Sequence, residues 1–177
     1  MVKPVSKSFL LWSIFLVALV LRVAYVGSLN PNEPKSGDAA YWMGVGESIS
    51  QGRGHEIEIA PGTFLYALRP PLYALLIGGV FRLFGENLMV LRLFQALLGA
   101  LAALGTFFLA RSLFGDRVAK LAAWLTAFYP FAIYYAGYIG AEMLFVTLLS
   151  VFFYLLVSLG QRPSWKLGVA CGLFLGL

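Results

Sequence analysis

Charge is what this sequence has least of. Asp, Glu, Lys and Arg make up 12% of its 177 residues, where a soluble domain carries about 25%. Hydrophobic residues make up 60%, against about 45–50% in an average soluble chain. So little polar material cannot cover a water-facing surface, and the chain reads as an integral membrane protein. Cysteine is almost absent. The one residue, Cys171, lies in apolar sequence without a partner, which excludes disulfides and cysteine-rich metal sites. Walker-type phosphate loops, HExxH and GxSxG are missing, as are internal repeats and low-complexity tracts. The net charge of +5 does not point to nucleic acid. The basic residues sit at the ends of apolar runs, as membrane topology signals do, rather than in a stripe or groove.

What polar sequence there is collects in residues 30–71. Five of the eight acids fall there (Glu33, Asp38, Glu47, Glu56 and Glu58), with the only histidine, His55, and five of the eight prolines. This segment is expected to form half of a site, held against the bilayer by the helices around it. It divides an all-α, polytopic architecture. An uncleaved first span covers about 8–27, since its apolar run is longer than the 7–15 residues of a signal-peptide core. Arg22, near the outer end of that span, is expected to snorkel to the headgroups. An interfacial helix over about 38–50 follows, started by Ser36 or Asp38 as cap. Tyr41, Trp42, Val45 and Ile49 share its apolar face; Glu47, Ser48 and Gln51 fall off it. Residues 55–59 alternate as a short extended piece does.

A second short helix is expected over 72–84. At 1.5 Å per residue it reaches roughly 20 Å, short of a hydrocarbon core of about 30 Å. If it does not span, the loops holding Arg111, Arg117 and Lys120, and Arg162 and Lys166, share the cytoplasmic side with Lys3 and Lys7, as the positive-inside rule favours. Residues 28–87 then form a long first outer loop. Further spans are expected over 88–113, 118–136 (bent at Pro130), 143–159, and from 167 onward. The last apolar segment is about ten residues, too short to cross, so the reading takes 1–177 as the N-terminal part of a longer chain. Gly99, Ala100, Ala102, Ala103 and Gly105 suit close helix packing. Tyr129, Tyr134, Tyr135 and Tyr138 read as an aromatic belt.

On this topology Asp38, Arg69 and Glu142 all lie at the outer mouth of the helices. A carboxylate can take a proton from an attacking hydroxyl or amine. A guanidinium can grip a phosphate with paired hydrogen bonds. Each has a plainer reading beside it: Asp38 as a helix cap, Glu142 as an acid favoured by a helix dipole, Arg69 as a headgroup anchor. His55 reads as a loop residue, and Glu56 and Glu58 as a solvated face able at most to hold a cation.

In order along the chain stand LRVAY, GDAAYW, LRPPLYALL, FRLFGENLMVLRLFQALLG, ARSLFGDRVAKLAAWLTAFYP and GAEMLFVTLL. Together they resemble the N-terminal half of the polyprenyl-phosphate-sugar-dependent glycosyltransferases of the GT-C superfamily. The nearest groups are the protein O-mannosyltransferase-like and lipid A aminoarabinose transferase-like enzymes. The resemblance implies an inverting transfer of a hexosyl or pentosyl group from a polyprenyl (dolichyl-type) phosphate to a protein, lipid or glycan acceptor. It implies Asp38 as catalytic base, Glu142 as a second acid of the active-site side, and Arg69 near the lipid phosphate; Tyr41 and Tyr73 stand beside them as candidate substrate contacts. A divalent cation is a possible cofactor, with Asp38, Glu142 and His55 the weak candidate ligands. Leu68 stands where the aminoarabinose enzymes place a metal-binding glutamate, which tells against a metal there. A non-catalytic membrane scaffold or truncated relic is the alternative. A transporter would place ionisable or broken helices near the midplane, whereas these acids sit at helix ends.

Overall fold

The structure is a computed structural model, describing residues 7–30 and 37–176. Among the described residues the eight helices are α1 (Lys7–Gly27), α2 (Gly37–Ser50), α3 (Pro71–Phe84), α4 (Leu88–Phe114), α5 (Asp116–Phe128), α6 (Pro130–Gly137), α7 (Glu142–Gln161) and α8 (Trp165–Gly176). Between α2 and α3 lie two strands, β1 (Glu56–Ala60) and β2 (Thr63–Tyr66). Three of the described helices, Ser8–Gly27, Leu88–Phe114 and Glu142–Gln161, are long and apolar enough to cross a membrane.

α4 is the hub, touching α1, α5, α6 and α7 along its length. Its small residues make that possible. A Cβ on Gly105 would sit 2.2 Å from Ser150 Oγ of α7, and one on Gly99 would sit 2.5 Å from Arg22 Nε of α1. α5 joins through an alanine seam, Ala119, Ala123 and Ala127, buried at every fourth residue against Ala100 and Ala103. Gly115 turns α4 into α5 at φ 83°, and Arg111 pairs with Asp116 across that turn at 2.7 Å. Gln161 at the end of α7 donates to Ser112 O at 3.1 Å. Leu10 and Leu11 of α1 pack against the same cluster as Ala110 and Ala119. The start of α1, the α4–α5 turn and the end of α7 are thus gathered at the pole opposite α2 and α3.

The expected third span over 118–136 is not one bent helix. It breaks at Tyr129, whose backbone is extended (φ −64°, ψ 117°). Pro130 has no N–H to give Thr126 O and forces the preceding residue out of helical geometry. The carbonyls this frees explain a second correction. Arg22 does not reach for headgroups: it is wholly buried. Its guanidinium donates to Thr126 O and Ala127 O, both at 3.2 Å, and to Ala18 O at 2.9 Å. In a bilayer such carbonyls have no water to turn to, and the arginine of one helix replaces the N–H the proline removed from another.

α2 and α3 pack in close contact. Gly46 lies under Ile77 and Gly78 under Ile49, each so close that a Cβ would come within 2.5 Å. The lone extended piece is half of an antiparallel hairpin, with Ile57 opposite Leu65 and Glu58 opposite Phe64. Pro61 and Gly62 (φ 76°) make its turn, proline first and positive-φ glycine second as in a type II turn. The hairpin leans on α2, with Ile57 against Gly44. Ser48 is consequently buried, at 2% exposure, rather than off the apolar face. The proposed cap Ser36 lies outside the described residues.

Candidate active site

Asp38 sits in the first turn of α2, and Arg69 leaves the hairpin two residues before α3 begins. Their side chains meet: Arg69 Nη2 donates to Asp38 Oδ1 at 2.6 Å. Neither is sealed off, with side-chain exposures of 36% for Arg69 and 49% for Asp38. The hydrogen bond from Arg69 is the main reason the Asp38 carboxyl is held below its usual range, and the same bond raises Arg69. Arg69 is further placed over two rings, 4.8 Å from the Tyr41 centroid and 5.4 Å from that of Trp42, a geometry that favours a cation. Trp42 in turn meets the Tyr73 ring edge-on at 5.0 Å. Pro70 and Pro71 fix this corner. Pro71 opens α3 where its missing N–H costs nothing, and the chain before it is held extended, so Arg69 projects beside Asp38.

Tyr73 is the link to the spanning helices. Its hydroxyl donates to Gln95 Oε1 of α4. The amide of Gln95 reaches the end of α6, donating to Tyr138 O at 2.6 Å, Ala136 O at 3.1 Å and Tyr135 O at 3.3 Å. One turn earlier, Arg92 donates to Gly137 O at 2.9 Å and Asn30 O at 3.1 Å. All but Asn30 O are carbonyls at the end of α6, which a helix end leaves without intrahelical partners. Two polar side chains of α4 therefore hold the α6–α7 junction and, through Tyr73, the loop half of the site. Neither was singled out from sequence. The available signal was a pair of polar residues three apart inside an apolar helix, where an ionisable group is a functional candidate by default.

Glu142 begins α7 just beyond that junction. Gly140 makes room for it, since a Cβ there would lie 2.1 Å from Glu142 Oε2. That oxygen is buried with no hydrogen-bond partner among the described residues. The carboxylate acts electrostatically on Arg69 and Tyr73. Tyr138, pushed up first by burial, feels both Asp38 and Glu142. Both acids thus act electrostatically on a phenol that sequence assigned only to an aromatic belt. His55 is not brought to them: it precedes β1, and neither of its buried ring nitrogens has a partner among the described residues. Among the described residues no three His, Cys, Asp or Glu side chains converge as a metal-holding group.

The site opens onto an apolar cavity of about 320 Å³. It starts at Trp42, Pro70 and Tyr73 and follows α7 past Leu144 and Leu148 to Phe152, with Phe174 and Leu175 of α8 on its far side.

The model of the dolichyl-phosphate-mannose-protein mannosyltransferase family matches residues 68–177. The chain belongs to that family. Neither a curated protein nor a solved structure matches it. The mannosyltransferase match includes Arg69, Tyr73, Gln95 and Glu142 and ends short of Asp38 and Tyr41. It makes the protein GT-C-like, consistent with its apolar helices and membrane setting. The contribution of α2 to the site rests on the geometry above.

Proposed function

We propose that this mannosyltransferase-family chain takes a sugar from a polyprenyl phosphate and transfers it, with inversion, to an acceptor on the outer face of its membrane. The observation that carries the reading is the Asp38–Arg69 pair at the head of an apolar groove. A polyprenyl phosphate has one charged end and one long apolar end, and here a cation sits where a groove begins. From Leu144 to Phe152 the groove runs about 12 Å along α7, at 1.5 Å per residue.

The acceptor oxygen or nitrogen attacks the anomeric carbon as the bond from that carbon to the phosphate oxygen breaks. The departing lipid phosphate carries the new negative charge, and Arg69 stabilises it with paired hydrogen bonds. Asp38 takes the acceptor proton. No general acid is required, because the phosphate leaves as an anion. Arg69 exchanges part of its bond with Asp38 for the phosphate, which frees the carboxylate for its proton. Glu142, with an unpartnered buried oxygen, orients the acceptor. Among the described residues the acids do not converge as a metal group and the Leu68 side chain offers no donor atom, so no step is routed through a metal.

A benzophenone-bearing polyprenyl phosphate should label α7 on irradiation, and unlabelled polyprenyl phosphate should suppress it. Leu148→Trp, which fills the groove, should cut labelling severalfold. Labelling spread evenly over the helices, or indifferent to Leu148→Trp, would remove the groove from the donor site.

The orientation follows from charge. Arg111, Arg117, Lys120, Arg162 and Lys166 belong to the pole opposite the site, which the positive-inside rule assigns to the cytoplasm. The start of α1 lies with them, and Gly85 and the hairpin lie outside. In a Cys171→Ser background, an impermeant thiol reagent added to intact cells should modify a cysteine at Gly85 and spare one at Asp116. Modification of position 116 would invert the assignment.

A further inference from the structure

A second concave site lies outside the donor groove. Between α2 and the hairpin is a pocket of about 530 Å³ lined by Gly44, Glu47, Ser48, Arg53, Glu56, Ile57, Glu58 and Phe64. That volume lies within the roughly 300–1,000 Å³ of small-molecule sites. Its character is opposite to that of the groove. Three carboxylates and one guanidinium are among its lining residues, so the lining is negative overall. Strand register puts Glu56 opposite Tyr66 and Glu58 opposite Phe64.

The carboxylates are only partly engaged. Glu47 accepts from the Gln51 amide at 2.9 Å, Glu56 pairs with Arg53 at 3.4 Å, and Glu58 accepts from Gly62 N–H at 2.8 Å. An ionised carboxylate offers about four lone-pair sites, so most acceptor capacity is left over. The independent observation is Ser48. It is 98% buried by the exposure above, it lines the pocket, and its Oγ has no hydrogen-bond partner among the described residues. Buried hydroxyls are normally paired. A ligand with both donors and acceptors would complete Ser48, and one with positive charge would complete the carboxylates. A bare cation fits less well, because no three acids converge.

We propose that the pocket between α2 and the hairpin binds an ammonium-bearing, hydroxylated group about the size of a monosaccharide. Gly44 and Ser48 lie six and ten residues beyond Asp38, about 9 and 15 Å along α2. A group seated there does not itself react at Asp38. It holds a larger molecule whose other end does. Only this role as an acceptor subsite rests on the proposed sugar transfer; the binding does not.

The test is equilibrium binding of radiolabelled glucosamine and glucose to the protein in lipid nanodiscs. Glucosamine should bind saturably and at least about tenfold more tightly than glucose, since charge-assisted hydrogen bonds are roughly twice as strong as neutral ones. Glu56→Gln with Glu58→Gln should weaken glucosamine at least about tenfold and leave glucose nearly unchanged. Asp38→Asn should leave glucosamine binding intact. Circular dichroism and elution volume check folding, and Glu58→Gln alone serves if the double variant fails. Equal binding of the two sugars, absence of saturable binding, or indifference to the glutamine substitutions would overturn the proposal. So would calcium displacing glucosamine and losing its own binding in the same variants. Loss of transfer in Asp38→Asn together with no glucosamine binding would sink this inference and leave the transfer reading standing.

Discussion

Asp38→Asn should transfer sugar about 10²–10⁴-fold more slowly than the wild type, the usual cost of losing a general base, with the fold unchanged. The substitution suits this test because of what surrounds Asp38. Its Oδ1 accepts from Arg69 Nη2 at 2.6 Å, and an asparagine oxygen in the same place still accepts that bond. Arg69 then stays over Tyr41 and Trp42, so donor binding should change little. What is lost is the negative charge and the site for the acceptor proton. The competing role, a helix cap, predicts the reverse. Asparagine caps as well as aspartate, so a cap would show near-wild-type turnover for Asp38→Asn and lowered stability for Asp38→Ala. Asp38 lies inside the first turn of α2, with its carboxylate committed to Arg69. Initial rates with a defined polyprenyl-phosphate sugar, beside thermal unfolding of both variants, decide between them. Near-wild-type transfer by Asp38→Asn would strike Asp38 from the chemistry.

Composition made the membrane class legible, and segment length separated α3 from the three long apolar helices. Those features depend on local sequence. What could not be read depends on partners far along the chain. Arg22 looked like an interfacial arginine because it lies near the end of an apolar run. Two of its three acceptors are carbonyls more than a hundred residues away, exposed only because Pro130 breaks a helix. The same proline was visible as a bend, but nothing local distinguishes a bend from a break. Ser48 fell off the apolar face of α2 when that helix was treated as having one buried side. The hairpin supplies a second, and β2 was missed because its four residues are all exposed and carry no burial alternation. The pairing of Asp38 with Arg69 was legible only as two residues at one membrane surface. Gln95, which ties Tyr73 to the α6–α7 junction, left no trace beyond its polarity inside α4.

Arg69→Ala should cost about 10²–10³ in turnover, the range for removing one donor to a developing negative charge, and it should also weaken the donor. Arg69→Lys should recover part of the loss: it keeps the charge over Tyr41 and Trp42 but cannot make two parallel hydrogen bonds to phosphate. A headgroup anchor predicts otherwise, since lysine anchors as well as arginine. The pH profile supplies a second readout. In the wild type the Asp38 carboxyl is held below its usual range, chiefly by the hydrogen bond from Arg69, with burial opposing it. A base works deprotonated, so the rate should fall only as pH drops through that depressed value. Without Arg69 the carboxyl returns upward, and the acid limb of the profile should move to higher pH in Arg69→Ala. A mere loss of donor affinity lowers kcat/KM at every pH and leaves the limb where it was. Rates measured at saturating donor from pH 3 to 7 therefore separate the two roles of the arginine. If the limb stays put while turnover falls, Arg69 serves the phosphate without setting the state of Asp38. If neither turnover nor the limb changes, the Asp38–Arg69 pair is no part of the catalytic site, and the donor reading loses the observation on which it stands.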